Sequence, residues 1–143
     1  MTIESILRRK GTNVETIAPE ASVKRAADWL RAKNIGALVV TSDNAVLGLI
    51  SEREIVHEFS RNGEAAGSIP VKEVMNSRVI TVSPEESISR VMKLMTQHRV
   101  RHMLVLRGGK LAGIVSIGDV VKYRLADLEL ETNVLRDVYN ARR

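Results

Sequence analysis

A tandem repeat constrains the fold of this chain more strongly than any other feature of its sequence. The segment Thr16–Ser22 returns as Thr81–Ser87, so residue 16 maps onto residue 81 with a displacement of 65 positions. The same displacement relates further identical or similar residues without a gap: Arg25/Arg90, Val40/Val105, Gly48/Gly113, Ser51/Ser116, Glu54/Asp119 and Val56/Val121. Two copies are too few for a stacked solenoid. We therefore expect two pseudo-symmetric halves, with a ligand held in clefts between them.

Composition limits the classes of protein that this chain can represent. Its 143 residues suit one compact domain built from two halves, and 44% apolar residues suffice for a core. There is no cysteine, which excludes disulfides, thiolate metal sites and cysteine nucleophiles. No apolar run approaches the roughly 18 residues of a membrane span, so we expect a soluble cytoplasmic protein. A net charge of +5 is compatible with an anionic ligand or with nucleic acid.

Hydrophobic periodicity predicts a β-α-β-β-α order in each repeat, preceded by a helix over residues 2–10. The first repeat comprises an extended segment at 14–17, a helix capped by Ser22, strands at 37–41 and 46–50 around the Asp43-Asn44 turn, and a helix from Ser51 to about Arg61. The second repeat comprises an extended segment at 79–82, a helix capped by Ser87, strands at 103–106 and 111–115 around Gly108-Gly109, and a closing helix. The fold class is therefore mixed α/β.

The expected boundaries follow the repeat along the sequence. Residues 62–70 contain two glycines and a proline, which makes them the best linker candidate, and residues 71–75 form a short helical entry to the second half. We accordingly assign residues 1–66 to repeat 1 with its N-terminal helix. Residues 67–125 form repeat 2, and residues 126–143 form a C-terminal helical extension.

The closing helix of the second repeat continues beyond the repeat itself. Six residues, apolar except for Thr132, alternate spacings of four and three along it, as in one seam of a coiled coil: Val121, Leu125, Leu128, Thr132, Leu135 and Tyr139. The helix either packs on its own domain or forms a homodimer contact. The sequence leaves both interpretations open.

Two related motifs join a strand to a helix, one from Gly48 to Glu54 and the other from Gly113 to Asp119. In each, a serine precedes an acid by three positions, which is the spacing of a capping box and needs no ligand. A helix N-terminus is also a favourable place for phosphate, and a carboxylate beside it can accept both hydroxyls of a ribose. A structural cap and a ligand site are therefore both consistent with the motif.

The combination of extended segment, helix, hairpin and Gly-x-x-Ser-x-x-acid, occurring twice over residues 2–125, resembles a tandem pair of CBS domains, the Bateman module. The segments at 50–56 and 114–121 are especially similar to those of small stand-alone bacterial CBS-domain proteins. The resemblance implies two repeats packed with pseudo-two-fold symmetry. It also implies a regulatory, non-enzymatic protein that binds AMP, ADP, ATP or NAD(H), senses energy or redox state as a homodimer of CBS pairs, and acts in trans on an unknown protein target.

The resemblance also implies which residues bind the nucleotide. Asp119 would hold the ribose hydroxyls, Ser116 would lie near the ribose and phosphate, and Ile114 would form an apolar wall. The adenine of that cleft would be held by two segments of the other half: Thr16, Ile17 and Ala18, then Ile35, Gly36 and Ala37.

A second, mirror cleft is implied at the equivalent positions. It would combine the second-repeat residues Thr81, Val82, Val100, Arg101 and His102 with the first-repeat residues Leu49, Ser51, Arg53 and Glu54. Arg53, Arg101 and His102 match positions that contact phosphate in related proteins. Glu54 stands where the pattern has Asp, and its extra methylene moves the carboxylate by about a bond length. Whether both clefts bind is left open.

Catalysis and metal binding find no support in the sequence. The segment from Gly113 to Gly118 has one residue too many for a Gly-x-Ser-x-Gly elbow, and Asp119 stands where a Walker loop requires lysine. The three histidines are dispersed, so we expect no metal site and no catalytic cofactor. Two alternative functions remain: a ligand-free dimerisation scaffold, or a nucleic-acid-binding protein, which the near-absence of aromatic residues disfavours.

Overall fold

The computed structural model describes residues 1–142, and its contacts group them into two units. The first-repeat unit is Asn13–Val79. The second-repeat unit combines residues 1–12 with the chain from Ile80 onward. Each unit has its own three-stranded sheet and its own apolar core. The mixed α/β class predicted from the repeat is therefore confirmed.

The first-repeat unit has the predicted β-α-β-β-α order. Its elements are β1 (Thr16–Ile17), α2 (Val23–Lys33), β2 (Ala37–Ser42), β3 (Ala45–Ser51) and α3 (Glu52–Asn62), followed by a 3-10 helix (Gly63–Ser68) and α4 (Val71–Val74). In the sheet, β2 lies between β1, to which it is parallel, and β3, to which it is antiparallel. The crossover helix α2 connects the two parallel strands, because parallel neighbours cannot be joined by a tight turn.

The local signals in the first repeat act as expected. Ser22 precedes α2, and its side chain accepts a hydrogen bond from the Arg25 amide at 3.1 Å. Asp43 and Asn44 have φ angles of 50° and 66°, which is the backbone of a two-residue hairpin turn. Asn and Asp tolerate this left-handed region better than most residues. The turn therefore fixes the pairing of β2 with β3.

The second-repeat unit repeats the same order and adds a helix at its beginning and a long one at its end. Its elements are α1 (Ile3–Lys10), β4 (Thr81–Val82), α5 (Ile88–His98), β5 (His102–Arg107), β6 (Lys110–Ser116) and α6 (Ile117–Ala141). Ser87 caps α5 through the Arg90 amide at 3.1 Å. Gly108 and Gly109 turn the β5–β6 hairpin at positive φ. The long C-terminal helix is thus confirmed.

The helix at the start of the chain packs on the second repeat, not on the first. Ile3, Ile6 and Leu7 are at most 2% exposed and belong to the core that contains Val91 of α5. A Cβ added at Gly113 of β6 would lie 2.7 Å from the Leu7 side chain, so α1 crosses the sheet at close range. This grouping differs from the sequence-based division, which joined residues 1–12 to repeat 1.

The short helix before the second repeat closes the first-repeat core. Val71 is fully buried in that core, whereas the sequence analysis placed residues 71–75 at the entry to the second half. The expected linker at 62–70 is also structured, since it contains the 3-10 helix and buries Ala66 to 2% exposure. The apolar residues of both segments therefore help to complete the first-repeat core, and the boundary assigned between residues 66 and 67 stays a prediction.

Candidate functional site

The junction between β6 and α6 carries a complete capping box. The Asp119 amide donates to Ser116 Oγ at 3.1 Å, and the Ser116 amide donates to Asp119 Oδ2 at 2.9 Å. These two bonds satisfy backbone N–H groups at the start of α6 and fix the rotamer of the acid. The Asp119 side chain remains 24% exposed. The cap thus holds the carboxylate in a defined position and leaves it accessible.

A lysine that the sequence analysis did not select lies against this carboxylate. Lys10, the last residue of α1, places Nζ 2.6 Å from Asp119 Oδ2 and donates to the backbone oxygen of Ile114 at 2.8 Å. The contact joins residues 109 positions apart. No local pattern in the sequence indicates a contact over this distance, and α1 had been assigned to the other repeat.

The environment of Asp119 favours its charged form. Burial alone would raise the pKa of this carboxyl group, but the hydrogen bonds from Lys10 and Ser116 and the charge of Lys10 outweigh it. The pKa of Asp119 consequently lies below its usual value. Near neutral pH the group is therefore an ionised acceptor.

Several residues assigned to the mirror cleft lie beside this junction within the second-repeat unit. His102 is the register partner of Ser116, and the Ile117 amide donates to the backbone oxygen of Arg101 at 2.8 Å. Further along β5, Leu104 pairs with Ile114 of β6 on one side and with Thr81 of β4 on the other. The turn before β5 and the Asp119 motif thus lie side by side in one sheet, and the division of these residues between two clefts stays a prediction.

The first-repeat unit contains the equivalent junction with different chemistry. Ala37 is the register partner of Ser51, and the Glu52 amide donates to the backbone oxygen of Gly36 at 3.3 Å. Ser51 Oγ donates to Glu54 Oε2 at 2.8 Å, and Ser51 makes no side-chain cap to the backbone. The longer Glu54 side chain therefore binds the serine hydroxyl and does not reproduce the Asp119 capping box.

The remaining predicted contacts differ in what they can offer a ligand. The side chains of Ile17, Ala37, Leu49 and Val82 are only 7–8% exposed, so these residues present little more than backbone atoms. Ile35 and Val100 are partly buried, and Thr16, Ala18, Thr81, Arg53 and Arg101 are exposed. The exposed group supplies the hydroxyls and guanidinium groups that a polar ligand requires.

Thr16, Ile17 and Ala18 line a surface depression of about 500 Å³, together with Arg25 and Trp29 of α2. The equivalent residues of the second repeat line a depression of about 380 Å³, where Leu94 replaces the tryptophan. Trp29 is 39% exposed, and its Nε1 donates to Glu15 at 3.1 Å. Arg25 and Trp29, the one tryptophan of the chain, line this depression and were not among the residues selected from the sequence.

The nucleotide cleft implied across the two repeats stays a prediction. Thr16–Ala18 and residues 35–37 belong to the first-repeat unit, and Ile114, Ser116 and Asp119 belong to the second-repeat unit. Among residues 1–142, no cluster of three or more His, Asp or Glu side chains is arranged to hold a metal ion. In the same range, no helix has the length and apolar character needed to cross a membrane.

Comparison with known proteins gives the family. The family model for the CBS domain matches residues 3–61 and 71–126. A CBS-domain-containing protein from Agrobacterium tumefaciens has 40% sequence identity and a TM-score of 0.85, with 87% of this chain and 99% of that chain covered. The mitochondrial CBS domain-containing protein CBSX3 of Arabidopsis thaliana is 33% identical over 130 residues, covering 85% of this chain and 63% of its own length.

An oligomeric protein is among the structural neighbours. A hexameric CBS-CP12 protein from bloom-forming cyanobacteria has 27% identity and a TM-score of 0.75, with 85% of this chain and 66% of that chain covered. The chain thus spans less than two thirds of this neighbour and of CBSX3. The tandem motif, the two matching sheets and the family match agree, and the chain belongs to the CBS-domain family, with its two CBS domains at residues 3–61 and 71–126.

Proposed function

We propose that this protein is a regulatory module that binds an adenosine nucleotide, AMP, ADP, ATP or NAD(H), and acts in trans on a partner protein. The observation that carries the proposal is the geometry of the Asp119 carboxylate. Among the described residues, its bonds from Lys10 and from the Ser116 amide both end on Oδ2, which leaves Oδ1 for a ligand. The carboxylate is ionised, fixed and accessible before any ligand arrives.

This arrangement suits the vicinal hydroxyls of a ribose. Two adjacent hydroxyl groups can donate to one carboxylate, and hydrogen bonds to a charged acceptor are stronger than those between neutral groups. Because the capping box already fixes the side chain, binding need not pay to order it. The positive end of the α6 dipole and the Lys10 ammonium group lie beside the same carboxylate and favour an anionic group such as phosphate. The family resemblance supplies the adenine part of the proposal.

The decisive experiment is calorimetric titration of nucleotide-stripped protein with AMP, ADP, ATP, NAD and NADH. We expect one of them to bind, and Asp119→Asn to weaken its binding by roughly 10- to 100-fold, the loss of hydrogen bonds to a charged group. Asp137→Asn, on the exposed distal part of the same helix, is the matched control and leaves binding unchanged. Nucleotide lacking the 2′-hydroxyl should bind weakly to the wild-type protein. Asp119→Asn should then cause little further loss of affinity for that nucleotide.

The chain provides its own optical reporter of the adenine site. Trp29 is the one tryptophan and lines the depression formed by Thr16–Ala18. If the base binds at this segment, its approach alters the indole environment, and nucleotide addition changes tryptophan fluorescence with the same midpoint as the calorimetric isotherm. Trp29→Phe is the control, since it removes the signal while calorimetric binding persists.

Stoichiometry tests the second cleft. We propose that the Glu54 site binds more weakly, because Glu54 is bonded to Ser51 and lacks the backbone cap that positions Asp119. A single site that is lost in Asp119→Asn and retained in Glu54→Gln supports this assignment. Two equal sites would contradict it.

The protein would act as a homodimer in the cytoplasm. Its regulatory output would come from a shift between two arrangements that have different affinities for the nucleotide. Failure of the folded wild-type protein to bind any of the five nucleotides would overturn the proposal. It would leave the ligand-free dimerisation scaffold and the nucleic-acid-binding protein, and a steep dependence of RNA or DNA affinity on salt would identify the latter.

A further inference from the structure

The long helix α6 exposes an apolar seam that the second-repeat core does not cover. The helix has 25 residues and is about 37 Å long, but its buried residues are Val120 and Tyr123, both near its beginning. The seam residues are largely exposed: Val121 39%, Leu125 56%, Leu128 41%, Leu135 70% and Tyr139 62%, with Thr132 also exposed. Leu130, Val134 and Val138 line a second side, which starts only in the distal half. The seam runs along nearly the whole helix.

We propose that α6 pairs with α6 of a second copy of this chain as a parallel, in-register, two-stranded coiled coil. The residues Leu125, Thr132 and Tyr139 take the a positions of the heptad, and Val121, Leu128 and Leu135 take the d positions. The proposal concerns the orientation of two copies and does not depend on nucleotide binding.

Charged residues beside the seam select the second copy and the parallel orientation. In a parallel coiled coil, each g residue faces the e residue five positions further along the other helix. Arg124 then faces Glu129 of the second copy, and Glu131 faces its Arg136. Two-fold symmetry repeats both pairs, so all four contacts join opposite charges. Within residues 1–142, none of these four side chains takes part in an ion pair of its own protomer.

The fully overlapped antiparallel arrangement brings like charges together. In that orientation e residues face e residues and g residues face g residues. Glu129 would face Glu129 of the other copy, Glu131 would face Glu131, and Lys122 would face Arg136. Like charges at these positions disfavour a pairing even where the apolar seam permits it. The charged residues that flank the seam therefore favour the parallel orientation over the antiparallel one.

Thr132 is the polar residue of the seam, and its burial carries little penalty. Its hydroxyl donates to the backbone oxygen of Leu128 at 2.9 Å, one turn earlier in the same helix. A buried hydroxyl is costly mainly when its donor is left unpaired. Pairing of two helices therefore covers Thr132 without creating an unsatisfied group.

Disulfide trapping tests the orientation directly, since the chain contains no cysteine. In a parallel, in-register pair each a residue faces its own counterpart, so Thr132→Cys is expected to form a disulfide-linked dimer under mild oxidation at micromolar concentration. Asn133→Cys, the adjacent residue off the seam, is the matched control and should cross-link at least tenfold more slowly. Both substitutions are on the exposed part of α6 and leave the core intact.

A charge exchange provides a second, independent test. Glu131→Arg should weaken dimerisation, measured by sedimentation, roughly tenfold, since each symmetric pair becomes repulsive. Adding Arg136→Glu to the same chain restores opposite charges and should recover most of the loss. Three outcomes would overturn the proposal: a monomeric wild type at tens of micromolar, equal cross-linking at 132 and 133, or cross-linking of mixed Leu125→Cys and Leu135→Cys chains without any at Thr132→Cys.

Discussion

Removal of the Lys10 ammonium group tests whether α1 is tied electrostatically to the Asp119 junction. Lys10→Met keeps most of the aliphatic stem and removes the charge. The side chains of the pair are 30% and 24% exposed, so they are more protected than a fully solvated ion pair. Exposed pairs contribute about 0.2–1 kcal/mol, and hydrogen bonds to charged groups contribute about 1.5–3 kcal/mol. We expect a loss of about 1 kcal/mol in the free energy of unfolding, or roughly 3–4 °C in Tm for a chain of this size.

The pH dependence of that loss has a definite sign. The folded-state pKa of Asp119 is below its usual value, near 3.9 in unfolded chains. The contribution of the pair to stability is therefore complete above about pH 4 and is lost as the pH falls through the lower folded-state value. We expect the difference between wild type and Lys10→Met to persist at pH 7 and to shrink toward pH 3.

Urea unfolding followed by circular dichroism measures this effect, and a double-mutant cycle with Asp119→Asn isolates the pairwise energy. The exposed pair Lys24–Asp28, with side chains 70% and 62% exposed, is the comparison. Lys24→Met should change stability by less than about 0.5 kcal/mol. A coupling energy indistinguishable from zero, or the same loss at pH 3 as at pH 7, would refute the reasoning.

At two further pairs of equivalent positions, the same substitution is expected to cost different amounts of stability in the two repeats. Gly48→Ala should destabilise the protein by about 2–3 kcal/mol and Gly113→Ala by about 1 kcal/mol, because the new Cβ meets a backbone oxygen at 2.6 Å in the first case and the movable Leu7 side chain at 2.7 Å in the second. Equal losses in thermal unfolding would contradict this difference. Ser116→Ala should cost about 1 kcal/mol of unfolding free energy, since its hydroxyl caps α6, whereas Ser51→Ala removes no cap and should cost clearly less in the same urea titrations.

The order of elements could be predicted from sequence because it depends on local chemistry. Ser22 and Asn44 act through their immediate neighbours, and the displacement of 65 positions then transfers each assignment to the second repeat. The destination of α1 was not predicted. Its apolar spacing, Ile3-x-x-Ile6-Leu7, matches residues 71–75 with a displacement of 68, but that match says only that the two helices are equivalent. Which core each of them completes is decided by long-range packing.

The candidate site shows the same limit. The spacing of Ser116 and Asp119 was sufficient to predict the capping box, because both partners lie within one helical turn. Spacing could not predict Lys10, which reaches the carboxylate from α1 over a separation of 109 positions. It also could not predict that Glu54, one methylene longer, would bond to Ser51 Oγ and leave the backbone uncapped.

The position of α1 has a consequence for the order in which the chain can fold during synthesis. The first-repeat unit is one continuous segment, Asn13–Val79, and all of its core residues have been synthesised once Val79 leaves the ribosome. In the second-repeat unit, α1 packs with strands and helices that follow more than sixty residues later. Formation of this core therefore closes a long loop, and α1 cannot pack until those elements have been synthesised. During that interval Ile3, Ile6 and Leu7 have no partner to cover them. A growing chain therefore carries one folded repeat and an uncovered apolar segment until the second repeat has been synthesised.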